Sequence, residues 1–147
     1  MPAKRLVLDT NIWLDWLVFH DQAIAPLKRA FSEGRLVLAI DPACLAELTR
    51  VLAYPLGRFT LDAPARERAH AACLACACIE APAPRLASLP VCRDADDQKF
   101  LELARDCDAD YLVTRDRDLL SLRRRVQPGC GFRIVTPSEL AAGLAAP

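Results

Sequence analysis

Glycine is scarce in this chain of 147 residues, with five in all. None of them forms a Gly-rich phosphate loop. No Gly-x-Ser-x-Gly elbow or Cys-His nucleophile pair is recognisable, so the common nucleotide-loop and covalent-nucleophile chemistries drop out. Histidine is scarcer still. His20 and His70 stand alone, which leaves no pair at zinc-ligand spacing and reads each as a surface residue. Charge of one sign is not in excess either, with 19 Lys plus Arg against 19 Asp plus Glu. That balance excludes a polybasic coat or an acidic tail, yet it permits local segregation of charge. The longest apolar run, from 71 to 79, has nine residues, half of the roughly 18 that a membrane helix needs. Asp9 arrives too early for the apolar segment of a signal peptide, so a cytoplasmic protein without a membrane span is expected. An odd count of seven cysteines then reads as free thiols. Cys73-x-x-Cys76-x-Cys78 has the look of a metal motif, but on a helix Cys78 points away from Cys76, and close packing among alanines explains it better.

What is present is a globular composition, 53% hydrophobic and 26% charged. A chain of this length buries about 70% of its unfolded surface and needs no staples, which predicts one domain over residues 1–147. Short Val/Leu/Ile runs at Arg5–Leu8, Leu36–Ile40, Tyr111–Thr114 and Phe132–Val135 read as buried parallel strands, with a weaker fifth at Cys78–Ala81. Helical patterns lie between them: Ile12–Phe19, Gln22–Glu33, Pro42–Ala53, a helix capped by Asp62 and running through Ala77, Asp97–Cys107, Leu119–Arg125 and Ser138–Leu144. Strands alternating with helices predict an α/β fold, a central parallel sheet of four to five strands with helices on both faces. The Pro-rich stretch Pro82–Pro90 reads as a connector inside that domain.

The acids are unevenly placed. Nine of the 19 fall between positions 94 and 118. Glu102, Asp106, Asp108 and Asp110 read as solvated charge. Asp9 and Asp116 differ, because each follows an apolar strand at the point where the chain turns toward a helix. In an open parallel sheet the crevice beyond the carboxyl ends of the strands is where ligands bind. Each could alternatively cap the next helix. Glu47 sits at the edge of an apolar helical stripe, where a carboxylate needs either a partner such as Arg50 or a shared cation. Helical phase directs Asp97 toward the cleft and Asp96 toward solvent, since adjacent residues differ by about 100°. Asp94 precedes the helix and fits a cap or a supporting role, and Asp118 fits a cap on a helix beginning at Leu119. Carboxylates sharing one cleft are reconciled by a divalent cation, and hard oxygen donors select Mg²⁺ or Mn²⁺. Arg93, Lys99, Arg115 and Arg117 interleave with these acids, as a phosphodiester substrate beside a metal requires. The run Arg123-Arg124-Arg125 reads equally well as a backbone-tracking patch or a solvated helix end.

These segments resemble the PIN-domain family of metal-dependent ribonucleases. LVLDTNIWLDWL resembles its opening strand and first acid, DPACLAELTRVL its second-acid helix, and CRDADDQKFLELARDCDADYLVTRDRDLL its third and fourth acid regions. The later blocks, with ACIEAPAPRLASLPVCRDADD, resemble the VapC-like toxins of toxin–antitoxin systems. The resemblance covers nearly the whole chain, with its blocks in order. It implies four acids around one or two Mg²⁺ or Mn²⁺ ions, carried over to Asp9, Glu47, Asp97 and Asp116, with Asn11 and Thr114 as polar support. It further implies endoribonuclease activity, a small antitoxin partner and a homodimer or larger homo-oligomer. Trp13, Trp16 and Phe19 are candidates for an apolar contact surface, with core packing the expected use of at least two. The competing readings are a catalytically silent RNA- or protein-binding module, which predicts a missing acid, and a dehalogenase-like phosphotransferase. The latter needs a second aspartate two positions after the first, where this chain has Asn11.

Overall fold

Five short strands form one parallel sheet: β1 (Lys4–Leu8), β2 (Leu36–Ile40), β3 (Ala77–Ile79), β4 (Tyr111–Val113) and β5 (Arg133–Val135), side by side in the order β3-β2-β1-β4-β5. The structure is a computed structural model describing residues 2–81, 87–126 and 129–145. β1 lies at the centre, with Val7 opposite Ala39 of β2 on one side and Leu112 of β4 on the other. Successive residues of a strand point to opposite faces. Leu6, Val7 and Leu8 are all buried, as are Leu38, Ala39 and Ile40, so both faces of the sheet are covered. That is why these strands read as unbroken apolar runs rather than alternating ones.

The helices are α1 (Thr10–Leu14), α2 (Ala25–Ser32), α3 (Pro42–Leu52), α4 (Ala63–Cys76), α5 (Gln98–Asp106), α6 (Arg117–Leu120), α7 (Arg123–Val126) and α8 (Pro137–Ala145). α3 and α4 start as the sequence predicts. Asp41 accepts the Cys44 N–H at 2.9 Å and Asp62 accepts the Ala65 N–H at 2.8 Å, each with a proline in the first turn, where no N–H is needed. None of the helices among the described residues is long and apolar enough to cross a membrane.

Several boundaries depart from the sequence reading. The first helix begins at Thr10, two residues ahead of the first apolar position, because Asp9 caps it. It then widens into a π-helical turn (Asp15–Phe19) that closes on His20 in the left-handed region, φ 48°. Trp13 and Trp16 go into the core, and Trp16 meets the edge of Phe31 at 5.8 Å, while Phe19 stays exposed. The segment expected as a helix over Gln22–Glu33 opens with a 3₁₀ turn, Gln22–Ile24, before α2. The single helix expected over Leu119–Arg125 is two, α6 and α7, displaced toward Asp116 because that residue supplies the cap. α4 passes directly into β3, so Cys78 lies exposed on an edge strand and not on the helix. All seven cysteines are free thiols. Of the predicted connector Pro82–Pro90, residues 82–86 lie outside the described residues.

One topological feature positions everything below. From β1 the chain builds outward through β2 to β3, then crosses back to add β4 and β5 on the other side. The connections diverge between β1 and β4, and a crevice forms beyond their carboxyl ends.

Candidate metal centre

Asp9 leaves β1 at this crevice. Its N–H still bonds Val113 O at 3.1 Å, extending the ladder one residue past the strand. Its side chain is 4% exposed and both oxygens accept hydrogen bonds, Oδ1 from the Ile12 N–H at 2.9 Å and Oδ2 from the Thr114 hydroxyl. Capping and cleft placement were alternatives for this residue in the sequence; in the structure one carboxylate does both. Burial pushes its pKa up to about 6, against the lowering effect of the Thr114 and Ile12 bonds, and the charges of Asp116 and Asp15 add to the rise.

Thr114, fully buried, joins two of the acids. Its hydroxyl donates to Asp9 and accepts the Asp116 N–H at 2.9 Å. Asp116 in turn caps α6, with Oδ2 accepting the Leu119 N–H at 3.1 Å. This corrects the cap expected from Asp118, which instead lies within the first turn of α6, two residues past the capping position. Asn11, Arg115, Asp116, Arg117 and Asp118 line a cleft of 390 Å³ at this edge.

Asp97 comes from the far side of the crevice. A 3₁₀ turn, Ala95–Asp97, precedes α5, and Asp94 opens it by accepting the Asp96 N–H at 2.9 Å. Asp96 is exposed and Asp97 half-buried. Unlike Asp9 and Asp116, Asp97 makes no capping bond with its side chain. Burial, then the charges of Asp116, Asp94, Asp9 and Glu47, push its pKa up to about 7. A carboxyl raised by burial and by four other carboxylates is a candidate functional group.

Glu47, on α3, reaches the same region with both oxygens engaged. Oε1 accepts from Lys99 Nζ at 2.6 Å and Oε2 from the Thr10 hydroxyl. Its partner is therefore Lys99 rather than Arg50. Lys99 also donates to the Asp96 carbonyl and lies 5.2 Å from the centre of the Phe100 ring. Of the other cations, Arg115 pairs with Asp15 and lies 3.9 Å from Asp21, while Arg93 and Arg117 are exposed. Arg123 is held by Glu139 through two bonds of 2.8 and 2.6 Å. Thr10 and Asp15 join the site without a distinguishing mark in the sequence beyond Thr10 lying next to Asp9.

The PIN domain family model matches residues 5–118, a span that contains all four of these acids. The chain belongs to the PIN domain family. No curated protein matches it. PIN domains are in general nucleases that use divalent metal ions, and the donor set of this PIN domain suits such an ion. Asp9, Asp97, Asp116 and Glu47 offer only hard oxygen donors. The buried Cys92 thiol lies near Asp97, Asp116 and Asp118, but burial raises its pKa, and a neutral thiol is a poor ligand. As the side chains stand, no three His, Cys, Asp or Glu residues among those described converge tightly enough to hold an ion. Glu47 is turned to Lys99 and Thr10, and Asp9 and Asp116 are engaged by their caps.

Proposed function

We propose that this PIN domain is a Mg²⁺- or Mn²⁺-dependent endoribonuclease of the cytoplasm, the toxin of a toxin–antitoxin pair. The observation that supports the reading is that Thr114 ties Asp9 to Asp116 at the strand ends, with Asp97 near enough that both their charges raise its pKa. Asp9, Asp97 and Asp116 would hold the ion, with Glu47 beside them. When bound, the ion supplies charge compensation for the phosphodiester and lowers the pKa of a water that attacks phosphorus. Thr114 fixes the Asp9 carboxylate and the Asp116 backbone in one orientation, and Asp94 and the 3₁₀ turn hold Asp97 at the crevice. Arg93, Arg115 and Arg117, with Asn11, face the RNA backbone, and Asp118 completes the rim. Two of the four cations singled out in the sequence are already committed to acids, Lys99 to Glu47 and Arg115 to Asp15.

The toxin assignment rests on the family resemblance of the sequence. Phe19 and Phe59, both exposed with ring centres 6.3 Å apart, are proposed as part of the contact surface for a second copy or a small antitoxin. The test is to incubate purified protein with RNA in Mn²⁺, in chelator, and as the Asp9→Asn variant. Cleavage in Mn²⁺ alone, lost in the other two, is expected. Undiminished cleavage by folded Asp9→Asn would overturn the reading. Tight RNA binding without cleavage under every condition would favour the silent binding module. Expression alone in the native host is expected to arrest growth, and harmless expression would remove the toxin assignment.

A further inference from the structure

A basic cleft lies at the opposite end of the sheet from the acids. Lys4 opens β1, Tyr111 opens β4 and Arg133 opens β5, and with Arg124 of α7 they line 700 Å³ beside the first residues of these strands. Lys4, Arg124 and Arg133 are exposed, and none of them enters an ion pair among the described residues. Nearby cations are already satisfied: Arg5 donates to the Cys107 carbonyl at 2.6 Å, and Arg123 is paired with Glu139. Asp110 is the acid that lines the cleft, and it accepts the Arg5 N–H at 2.8 Å. Three cations against one acid make this a positive cleft in a chain whose charges balance.

The crossover from β4 to β5 connects the cleft with the crevice. It leaves β4 where Arg117 opens α6, and returns through α7 to the start of β5. Both helices pack on β5. Arg117, Arg124 and Arg125 are exposed along it, so cationic side chains stand at both of its ends. The five residues of β1 separate the two ends of the sheet by about 17 Å.

We propose that this cleft takes the phosphodiester backbone of the RNA substrate at nucleotides distant from the scissile bond, with the strand laid along the α6–α7 crossover. The inference rests on the ribonuclease reading above and deepens it by giving the substrate a second contact. Guanidinium forks match pairs of phosphate oxygens, and unpaired ones are free to do so. Tyr111, half-buried among them, offers a ring on which a base stacks. The route favours RNA over an acidic protein, because the arginines lead from the cleft to the rim where a phosphodiester would be cut.

The test measures binding of an end-labelled RNA of about 16 nucleotides by fluorescence anisotropy, in chelator and across a salt series. Arg124→Gln combined with Arg133→Gln, shown to be folded by circular dichroism, is expected to bind about 10-fold more weakly. Its slope of log affinity against log salt should be shallower by about 1.4, since each lost phosphate contact on a single strand removes about 0.7. Arg58→Gln combined with Arg68→Gln, the same charge change at exposed arginines elsewhere, is expected to bind as wild type does. Bound RNA should also shield Lys4 from an amine-reactive label and leave Lys28, on α2, as reactive as before. Equal weakening by the two double variants reduces the effect to net charge and overturns the proposal, as does an unshielded Lys4 in the complex. Inorganic phosphate or a mononucleotide that shields Lys4 as fully as RNA does, at the same phosphate concentration, makes this a small-phosphate site and overturns the RNA assignment. Undiminished binding by the Arg124/Arg133 variant, with Mn²⁺-dependent cleavage intact, overturns this proposal and leaves the nuclease reading standing. RNA held through Arg124 and Arg133 but cut under no condition supports the cleft and overturns the nuclease reading instead.

Discussion

Asp97 and Asp110 bracket α5, one at the end of the sheet where the strands finish and the other where they begin. Asp110 accepts the Arg5 N–H at 2.8 Å, its own N–H bonds Arg5 O at 2.8 Å, and its carbonyl accepts the Arg133 N–H at 3.0 Å. The cleft of 700 Å³ around it brings Lys4, Arg124 and Arg133. Asp97 has the reverse: no capping bond for its side chain and four carboxylates whose charges reach it. At the Asp110 end a carboxylate is therefore matched by donors, and at the Asp97 end carboxylates oppose each other. A matched acid stabilises the fold, whereas an opposed one is held in place by the fold against its own electrostatics, and such strain concentrates at functional sites.

Charge-removing substitutions at the two ends should therefore part most widely in activity. Asp9→Asn, Asp97→Asn and Asp116→Asn are each expected to lower RNA cleavage by more than about 100-fold, the scale seen when even outer partners of a metal are lost. Asp110→Asn and the exposed Asp96→Asn should leave it nearly intact. Asp94→Asn and Asp118→Asn should fall between, in a cleavage assay run on all seven. A series in which Asp96 matters and Asp97 does not would place the convergence on the wrong residue.

The next effect is on stability, and its sign follows from the raised pKa values. Asp9 near 6 and Asp97 near 7 in the folded protein, against 3.8 in the unfolded chain, mean that the folded state holds more protons between those values. In chelator, stability should therefore fall as pH rises from 3.8 toward 7 and level off above that window. Thermal melting across it should show Asp97→Asn with a flatter profile and a gain of about 1 kcal/mol at neutral pH, the nominal shift being discounted for partial exposure. A third outcome reverses the first in sign: Mn²⁺ should raise the melting temperature of wild type and do so far less in Asp97→Asn, because only the folded site binds it.

The smallest expected change is at the other end. Asp110→Ala removes the acceptor from Arg5 N–H and should cost about 1 kcal/mol in denaturant melts, with cleavage and Mn²⁺ binding unchanged. Loss of Mn²⁺ binding in that variant would erase the distinction between the two ends.

Much of this fold can be read from short stretches of chain. The runs Leu6-Val7-Leu8 and Leu38-Ala39-Ile40 announce buried strands by having no polar alternate, and Asp41-Pro42 and Asp62-Ala63-Pro64 announce helix starts by cap chemistry within three residues. The same local reading places Asp9 and Asp116 at strand ends and Asp97 at the start of a helix, which in the structure begins one residue later, at Gln98. It stops where a residue has two local roles on offer. Asp116 and Asp118 are both suitable caps for a helix near Leu119, and only the backbone path out of β4, tied by Thr114 to Asp9, selects Asp116. The π-helical turn at Asp15–Phe19 and the division of α6 from α7 were illegible for a similar reason, since tertiary packing overrides propensities that differ by fractions of a kcal/mol.

By itself, then, the sequence determined the element order, the strand ends that carry carboxylates and the absence of a one-signed charge that would name a partner. Those properties depend on neighbours within about four residues along the chain. The tertiary structure alone decided that Glu47 meets Lys99, 52 residues away, and Thr10, 37 away, and that Thr114 meets Asp9 across 105. It also decided how far Asp9 and Asp97 are pushed from ordinary acid behaviour. Such pairings and shifts depend on burial and on distances through space, and neither exists until the sheet has brought the ends of β1 and β4 together.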